Sequence, residues 1–594
     1  MSESHRRHRS SRSKRSGGRD WTAVLAPPGQ AWRLPLDGLL LALIVVAAFN
    51  YGATEAWSQQ LVAALSTLIC LYVAVACLFK PVGCQPVGSW TYFPIIGFVA
   101  IVLLQTVSLP AGLVQAIAPG IYQTRAELLA DLGPPEASMP LSLLPAATLR
   151  QLWPLLPVIA VFIAALHAYR TESGVKRLAQ IIAIAAASAV YLAFYEKLTG
   201  AGTQFGGAFE HPQSGPFLNH SHFGQFVNLG IGSALGLILI QISLAAKQYG
   251  RFPRIWQKLS TERAFIPFWI ALVFVVAGAI AILLSFTRGG VISMLVAGGT
   301  IGLILTWGKS RVASADGVPG GNTTGRDKAA LLLGLGLLIF TLSLAVGFDQ
   351  IYDRLATLGN VGQTGGDGRL QILRDLAPAF SSYAFWGTGL GTFEFVFPKY
   401  DTDVRQSLTT HAENEYAQLM LETGLTGMLC IAVFLTLVLA AAFRVAWTPV
   451  RSLDYLSHGL AFGLVAILVH SLSDFGQHVP AVALMTALTC AAVLNLAALR
   501  RVRLAGDDGS KPLPSSKVAS LEIAASDLGP RWLRRLGPAL LIGLMVGSGY
   551  AVTALESSRK ATTQYAAGLE IEGRIYGNNP DLVRPGDDER MIRR

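Results

Sequence analysis

The chain has 594 residues, of which 52% are hydrophobic and only 14% charged, with a mean hydropathy of +0.47 and a formal net charge of +11. These values lie well outside the range of soluble globular domains and define an integral membrane protein. The five cysteines lie in or beside apolar runs and form no CxxC pair, which excludes a disulfide framework or a zinc ribbon as the organising element.

In chain order, the basic start "RRHRSSRSKRSGGR" is followed by no small-residue cleavage site, so residues 1–34 read as a disordered cytoplasmic arm before an uncleaved anchor. A hydrocarbon core about 30 Å thick needs roughly 20 helical residues. Runs of that kind fall near 36–53, 60–79, 91–109, 151–168, 178–195, 224–246, 265–286, 290–307 and 329–347, then near 424–443, 457–474, 479–499 and 537–555. The expected fold is therefore an all-α polytopic membrane protein with about thirteen transmembrane helices and a large helical periplasmic loop. Its expected organisation is nine helices over 35–347, the loop over 348–423, three helices over 424–499, a cytoplasmic linker over 500–536, a last helix over 537–555 and a polar periplasmic tail over 556–594.

Lys and Arg concentrate on the cytoplasmic side of a membrane. With the N-terminus inside, the inner loops include the basic stretches "HAYRTESGVKR", "AKQYGRFPRIWQKLSTER" and "LRRVRLAGDDGSKPLPSSK", and most outer loops are nearly bare of positive charge. The pair of runs flanking "FTRGG" is the least secure part of this threading, because one long re-entrant segment there would change the helix count. Three long outer segments, 110–149, 197–223 and 348–423, are candidates for function, since loops longer than about 15 residues tend to be functional or disordered.

A transporter gathers ionisable residues at mid-membrane depth. Here they collect at the outer ends of helices and in outer loops: "FEHPQSGPFLNHSHFGQ", "SFTRGG", "GDGRLQILRDLAPAF", "FPKYDTDVR", "TTHAENEYAQLMLETGLTG" and "HSLSDFGQH". Arg288 is either an interfacial anchor or a ligand-binding cation whose neighbours Gly289 and Gly290 let a ligand approach the backbone. Arg369 and Arg374 fall on a short helix, either pairing with Asp367 and Asp375 or binding an anion.

Residues 411–424 read as a helix, with Thr410 and Glu413 at capping-box spacing and Gly424 as its stop. His411, Glu415, Gln418 and Glu422, with Asn414 beside them, then form one polar stripe. His470 and Asp474 are spaced to touch across one helical turn, as a structural lock or as chemistry, with His478 past the turn. Asn219, His220 and His222 crowd together but lack a fitting carboxylate or Cys for a metal site. The "DTD" of residues 401–403 is too common a pattern to indicate one.

Arginines on an outer membrane face suit a phosphate-bearing partner, since a guanidinium matches phosphate oxygens in a bidentate way. A lipid-linked pyrophosphate is such a partner, and transfer of a glycan from it needs charge stabilisation on the leaving group and a base near the acceptor hydroxyl.

At "LLSFTRGG", "GRLQILRD" with "GTGLGTFEFVFPKY", "HAENEYAQLMLETGLTG" and "HSLSDFGQHVP" the chain resembles the O-antigen ligase and Wzy-type polymerase superfamily of bacterial envelope glycosyltransferases. The resemblance implies a GT-C-like helical fold in the inner membrane and metal-independent, inverting transfer of an undecaprenyl-pyrophosphate-linked glycan on the periplasmic face. The acceptor is a glycan or a lipid A core, among membrane lipid, with no cofactor and no nucleic acid involved. Carried over, His411, Arg288 and Arg369 are the catalytic candidates. Arg374, Glu413, Asn414, Asn219, His222 and Asp474 are the substrate-binding candidates. Many members read His-Asn where this chain has Glu413-Asn414, so either His411 or Glu413 is the base. The alternatives are a polysaccharide or lipid transporter and a non-catalytic envelope assembly protein.

Overall fold

The computed structural model describes residues 33–79, 91–130, 137–199, 214–249, 252–308, 366–402 and 409–505, together with 334, 336, 543, 544, 546, 547 and 550. Nearly all of the expected arm over 1–34, most of the expected linker over 500–536, the expected tail over 556–594 and nearly all of the expected helices at 329–347 and 537–555 lie outside the described residues.

The chain opens with α1 (Arg33–Phe49), α2 (Ala56–Phe79) and α3 (Tyr92–Thr106). An excursion off the bundle follows, made of β1 (Ser108–Pro110), α4 (Ala111–Ile117), α5 (Pro119–Leu128) and β2 (Ser138–Pro140). The chain then runs through α6 (Pro145–Ala168), α7 (Glu172–Thr199), α8 (His220–Tyr249), α9 (Phe252–Thr261), α10 (Ile266–Leu284) and α11 (Arg288–Trp307). Beyond these lie α12 (Gly366–Ser382), the short α13 (Phe393–Val396), α14 (Glu415–Trp447), α15 (Leu456–His470) and α16 (Pro480–Ala505). Among the described residues, nine helices are long and apolar enough to cross a membrane, and α3 is a shorter apolar helix.

Burial sorts the helices. α8, α15 and α16 have mostly buried spans and form the centre, whereas α11 and α14 turn most of their length outward. Lipid tails are as apolar as Leu, so helices in a membrane associate through close packing of small residues. α8 and α15 show this: a Cβ on Gly232 would lie 2.5 Å from Gly459 O, and one on Gly459 would collide with Gly232 O. The backbones meet there with no side chain between them.

The excursion is structured. β1 and β2 pair antiparallel, Leu109 opposite Met139. With α4, α5 and α12 they enclose a second small core that includes Val114, Ile121, Met139, Ile372, Leu376, Phe393 and Leu421. Leu421 belongs to α14, so this layer is bolted to a long helix.

The expected stop at Gly424 is replaced by a kink. α14 runs on through it, with Gly424 at φ +62° and ψ −167°. A kink frees carbonyls that cannot be left bare at membrane depth. Leu421 O accepts from Thr388 N at 2.8 Å, and Glu422 O accepts from Gly389 N at 2.9 Å and from Gln105 Nε2 at 2.9 Å. Gln105 is fully buried; its Nε2 also donates to Trp386 O and its Oε1 accepts from Leu390 N. The glycine-rich stretch at 387–391, with φ of +69°, +112° and +74° at its three glycines, follows the path these bonds require.

Near "FTRGG" the chain makes a sharp turn between two separate helices. Phe286 has φ +55° and Thr287 caps α11, its side chain accepting from Gly290 N at 3.1 Å. The two helices fall on the two expected runs, 265–286 and 290–307, and the alternative of one long re-entrant segment does not hold.

Candidate active site

The N-termini of α8, α11, α14 and α16 lie at the same end of the bundle, and the polar motifs at 219–225, 285–290, 409–415 and 470–478 meet there. Aligned peptide dipoles give each N-terminus a partial positive charge, which suits an anion.

The segment 409–414 is the first correction. It is not helical; Glu413 has φ +52°, and the N-cap of α14 is Asn414, whose Oδ1 accepts from Ala417 N at 3.0 Å. Thr410 and Glu413 thus form no capping box. Asn is among the most favoured N-cap residues, and with its oxygen on Ala417 N the helix starts at Glu415 rather than after Thr410. His411 leaves the expected stripe, and Gln418 and Glu422 remain together, Gln418 Nε2 donating to Glu422 Oε1 at 3.1 Å.

This segment is fastened to the turn between α15 and α16. Asn414 Nδ2 donates to Leu472 O at 2.8 Å, Glu415 N to Ser471 O at 3.0 Å and Gln477 N to Glu415 Oε2 at 3.2 Å. Ala412 N donates to Gln418 Oε1 at 3.2 Å. Held this way, the His411 ring lies edge-on to Phe475 with centroids 3.9 Å apart, and 5.4 Å from the ring of His478. His411 Nδ1 lies 2.7 Å from Thr410 O. A carbonyl can only accept, so Nδ1 carries the proton and the neutral ring has its lone pair on Nε2. Burial, with His478 and His222 nearby, lowers the His411 pKa to about 3.

Asp474 is the buried anion of the site. Gln225 Nε2 donates to its Oδ2 at 2.6 Å, and His222 Nε2 lies 3.5 Å from its Oδ1. Burial opposes its charge, yet His222 and His470 hold its pKa below the ordinary value. The expected His470–Asp474 lock is thereby corrected: α15 ends at His470, so the one-turn spacing is lost and Asp474 turns to α8. The His470 ring is buried against α11 instead, where a Cβ on Gly289 would lie 2.7 Å from its Nε2. Phe475 stands between His411 and His222, whose ring centroid is 5.0 Å from its own.

The arginines separate. Arg369 Nη2 pairs with Glu413 Oε2 at 2.9 Å, both side chains partly exposed. Burial raises the Glu413 pKa, and Arg369 offsets part of that rise. Arg288 is the first residue of α11, half-buried between Thr287, whose hydroxyl is 3.4 Å from that of Ser221, and Gly289, which touches His470. Arg374 is exposed and five residues past Arg369, about 140° around the helix. Its expected neighbour Asp375 is buried and accepts from Gln371 Nε2 and Thr402 Oγ1. Asn219 uses its side-chain oxygen on Ser221 N at 2.8 Å, a turn at the start of α8.

The site therefore brings together His411, Glu413, Arg369, His222 and Asp474 with the α11 N-terminus at Arg288, and leaves Arg374 aside. Sequence reading missed Gln225, Phe475 and the pairing of His478 Nδ1 with Glu415 Oε1 at 3.1 Å. "HSLSDFGQH" contained two of these, but nothing in it pointed to partners on α8 and α14. Among the described residues, no group of three or more His, Cys, Asp or Glu side chains is arranged to hold a metal ion.

Residues 272–432 match the family model described as O-antigen ligase. Among curated proteins none matches the chain. The matched span runs from α10 to the first half of α14 and contains Arg288, Arg369, His411, Glu413 and Asn414; over this segment the chain is similar to the O-antigen ligase family.

Proposed function

We propose that the protein is an inverting, metal-independent glycosyltransferase of ligase or polymerase type, which moves a glycan from undecaprenyl pyrophosphate to an acceptor hydroxyl. The observation that carries this reading is the convergence of Arg369, Glu413, His411, Asp474 and the Arg288-bearing helix start at one end of the bundle. The opposite end carries Arg33, Arg177, Lys247, Arg451, Arg500 and Arg503. That bias favours a cytoplasmic assignment for the basic end and a periplasmic one for the site.

In this mechanism Arg288, Arg369 and the α11 N-terminus hold the pyrophosphate oxygens, with the donor competing with Glu413 for the Arg369 guanidinium. His411 Nε2 takes the proton of the acceptor hydroxyl as its oxygen forms the new bond to the anomeric carbon. The bond from that carbon to the phosphate oxygen breaks on the opposite face, and its electron pair leaves with the pyrophosphate, whose charge the arginines stabilise. The imidazolium formed on His411 is stabilised by the anion in front of it and returns its proton to water. Asp474, through His222 and the Phe475 wedge, keeps the turn that carries His411 in register.

The test is transfer in proteoliposomes from undecaprenyl-pyrophosphate glycan extracted from a strain lacking this chain. Loss of activity in EDTA would contradict the metal-independent step. In cells, Arg288→Ala and His411→Ala strains with normal surface glycan would point to a non-catalytic assembly role.

A further inference from the structure

Glu413 holds its position at a cost. Its backbone is left-handed, with φ +52°, a conformation that a residue with a Cβ adopts only at the expense of stability. Both of its neighbours are fixed: Ala412 N donates to Gln418 Oε1 at 3.2 Å, and Asn414 Nδ2 donates to Leu472 O at 2.8 Å. Between these anchors the left-handed residue delivers its carboxylate to Arg369 Nη2 at 2.9 Å. The two side chains are 27% and 45% exposed, so a ligand in water can reach the pair. An ion pair as open as this adds little to stability, and the fold alone does not account for the strain that makes it. The other charged groups acting on Glu413 include the buried Asp474, a second carboxylate beside any anion seated on Arg369.

A carboxylate on the guanidinium that is to hold a phosphate opposes the donor, but it opposes the product more. Both phosphates of the donor are diesters, each with a single negative charge. When the bond from the anomeric carbon to the phosphate oxygen breaks, the electron pair stays on that oxygen. The terminal phosphate becomes a monoester whose second ionisation lies near pH 6, so the pyrophosphate that leaves carries about one charge more than the one that arrived. A seat made of arginines alone would hold this product more tightly than the donor and empty slowly.

We propose that Glu413 is a product-release residue: its carboxylate takes Arg369 back from the pyrophosphate and repels the added charge, so that the site favours a loaded carrier over a spent one. The inference rests on the reading of Arg369 as a phosphate ligand. Arg369 then has an acceptor in either state, the Glu413 carboxylate in the empty site and a phosphate oxygen in the filled one.

The experiment is equilibrium binding of labelled inorganic pyrophosphate to the full chain in detergent, in wild type, Glu413→Gln, Glu413→Gly and Arg369→Gln. The label is displaced in turn by undecaprenyl pyrophosphate, the spent carrier, and by the extracted undecaprenyl-pyrophosphate glycan, the donor. Thermal unfolding provides the check on folding, and Glu413→Gly, which accepts a left-handed backbone without strain, stands in if Glu413→Gln does not fold. Both variants bind inorganic pyrophosphate and undecaprenyl pyrophosphate about fivefold more tightly than wild type, with a smaller gain for the donor. Unchanged or weaker binding of undecaprenyl pyrophosphate in both variants, or an equal gain for donor and spent carrier, overturns the proposal. Binding of pyrophosphate by Arg369→Gln as tight as by wild type would be a different failure, that of Arg369 as a phosphate ligand.

Discussion

The two ends of the helical bundle both carry arginines beside carboxylates, and they use them differently. At the basic end Glu172 receives Arg503 and Arg451, Arg177 reaches Asp37 at 3.2 Å, and Tyr169 donates to Asp37 at 2.6 Å. Asp454 accepts from Val450 N and Arg451 N, and Arg500 donates to Arg444 O and Thr448 O. These groups close helix ends, the usual work of buried ions and caps. At the other end the backbone is left-handed at Phe286 and at Glu413, the partner of Arg369. Such strain costs stability and persists where the surrounding structure holds it, often at functional sites. What the contrast teaches is that ion pairs alone do not mark a site; a left-handed backbone beside them does.

Removing an arginine from the site is the largest break in that contrast. Arg288→Ala and Arg369→Ala lower transfer by about 10²–10³, measured with the extracted donor, and Lys at either position restores only part of it because the bidentate fork is gone. Next comes Asp474→Ala, which strands Gln225 and His222 in a buried space and lowers unfolding stability by about 3 kcal/mol, read by thermal or chemical denaturation. Because its carboxyl is held below the ordinary value, Asp474 contributes stability that is complete above the unfolded pKa near 3.9 and is lost as pH falls through the folded value. Asp474→Asn removes that acid-side dependence. The raised pKa of His478 works in the opposite sense: its contribution is complete below about 6.5 and disappears as pH rises through about 9.

Asp454→Ala tests the basic end. It costs about 1–2 kcal/mol of stability through the lost backbone bonds and leaves transfer per folded molecule within about twofold of wild type. Arg374→Ala is the smallest perturbation, with a surface-sized change of about 0.5 kcal/mol or less and a much weaker effect on transfer than Arg369→Ala. Equal effects from the two arginines would erase the distinction between the faces of α12.

Much of this was legible in the sequence. Apolar runs marked the described spans, since hydropathy reports directly on what a bilayer requires, and the motif residues His411, Arg369 and Glu413 were identifiable as candidates. What escaped was whatever depended on an exchange of partners. Helical spacing placed His411 on a stripe with Glu415, but Asn414 caps the helix first. It also joined His470 to Asp474, but the helix ends between them and Asp474 pairs with residues some 250 positions earlier. Gln105 was not singled out at all, because the kink carbonyl it serves is 317 positions away. Local propensity cannot see contacts of that length.

The central claim is that His411 takes the acceptor proton. The direct measurement is single-turnover transfer of the extracted undecaprenyl-pyrophosphate glycan in proteoliposomes by wild type and His411→Ala at equal donor occupancy. The account predicts that His411→Ala binds donor normally and transfers it about 10²–10⁴ times more slowly. Transfer at the wild-type rate, with Glu413→Gln inactive instead, would contradict it and move the base to Glu413.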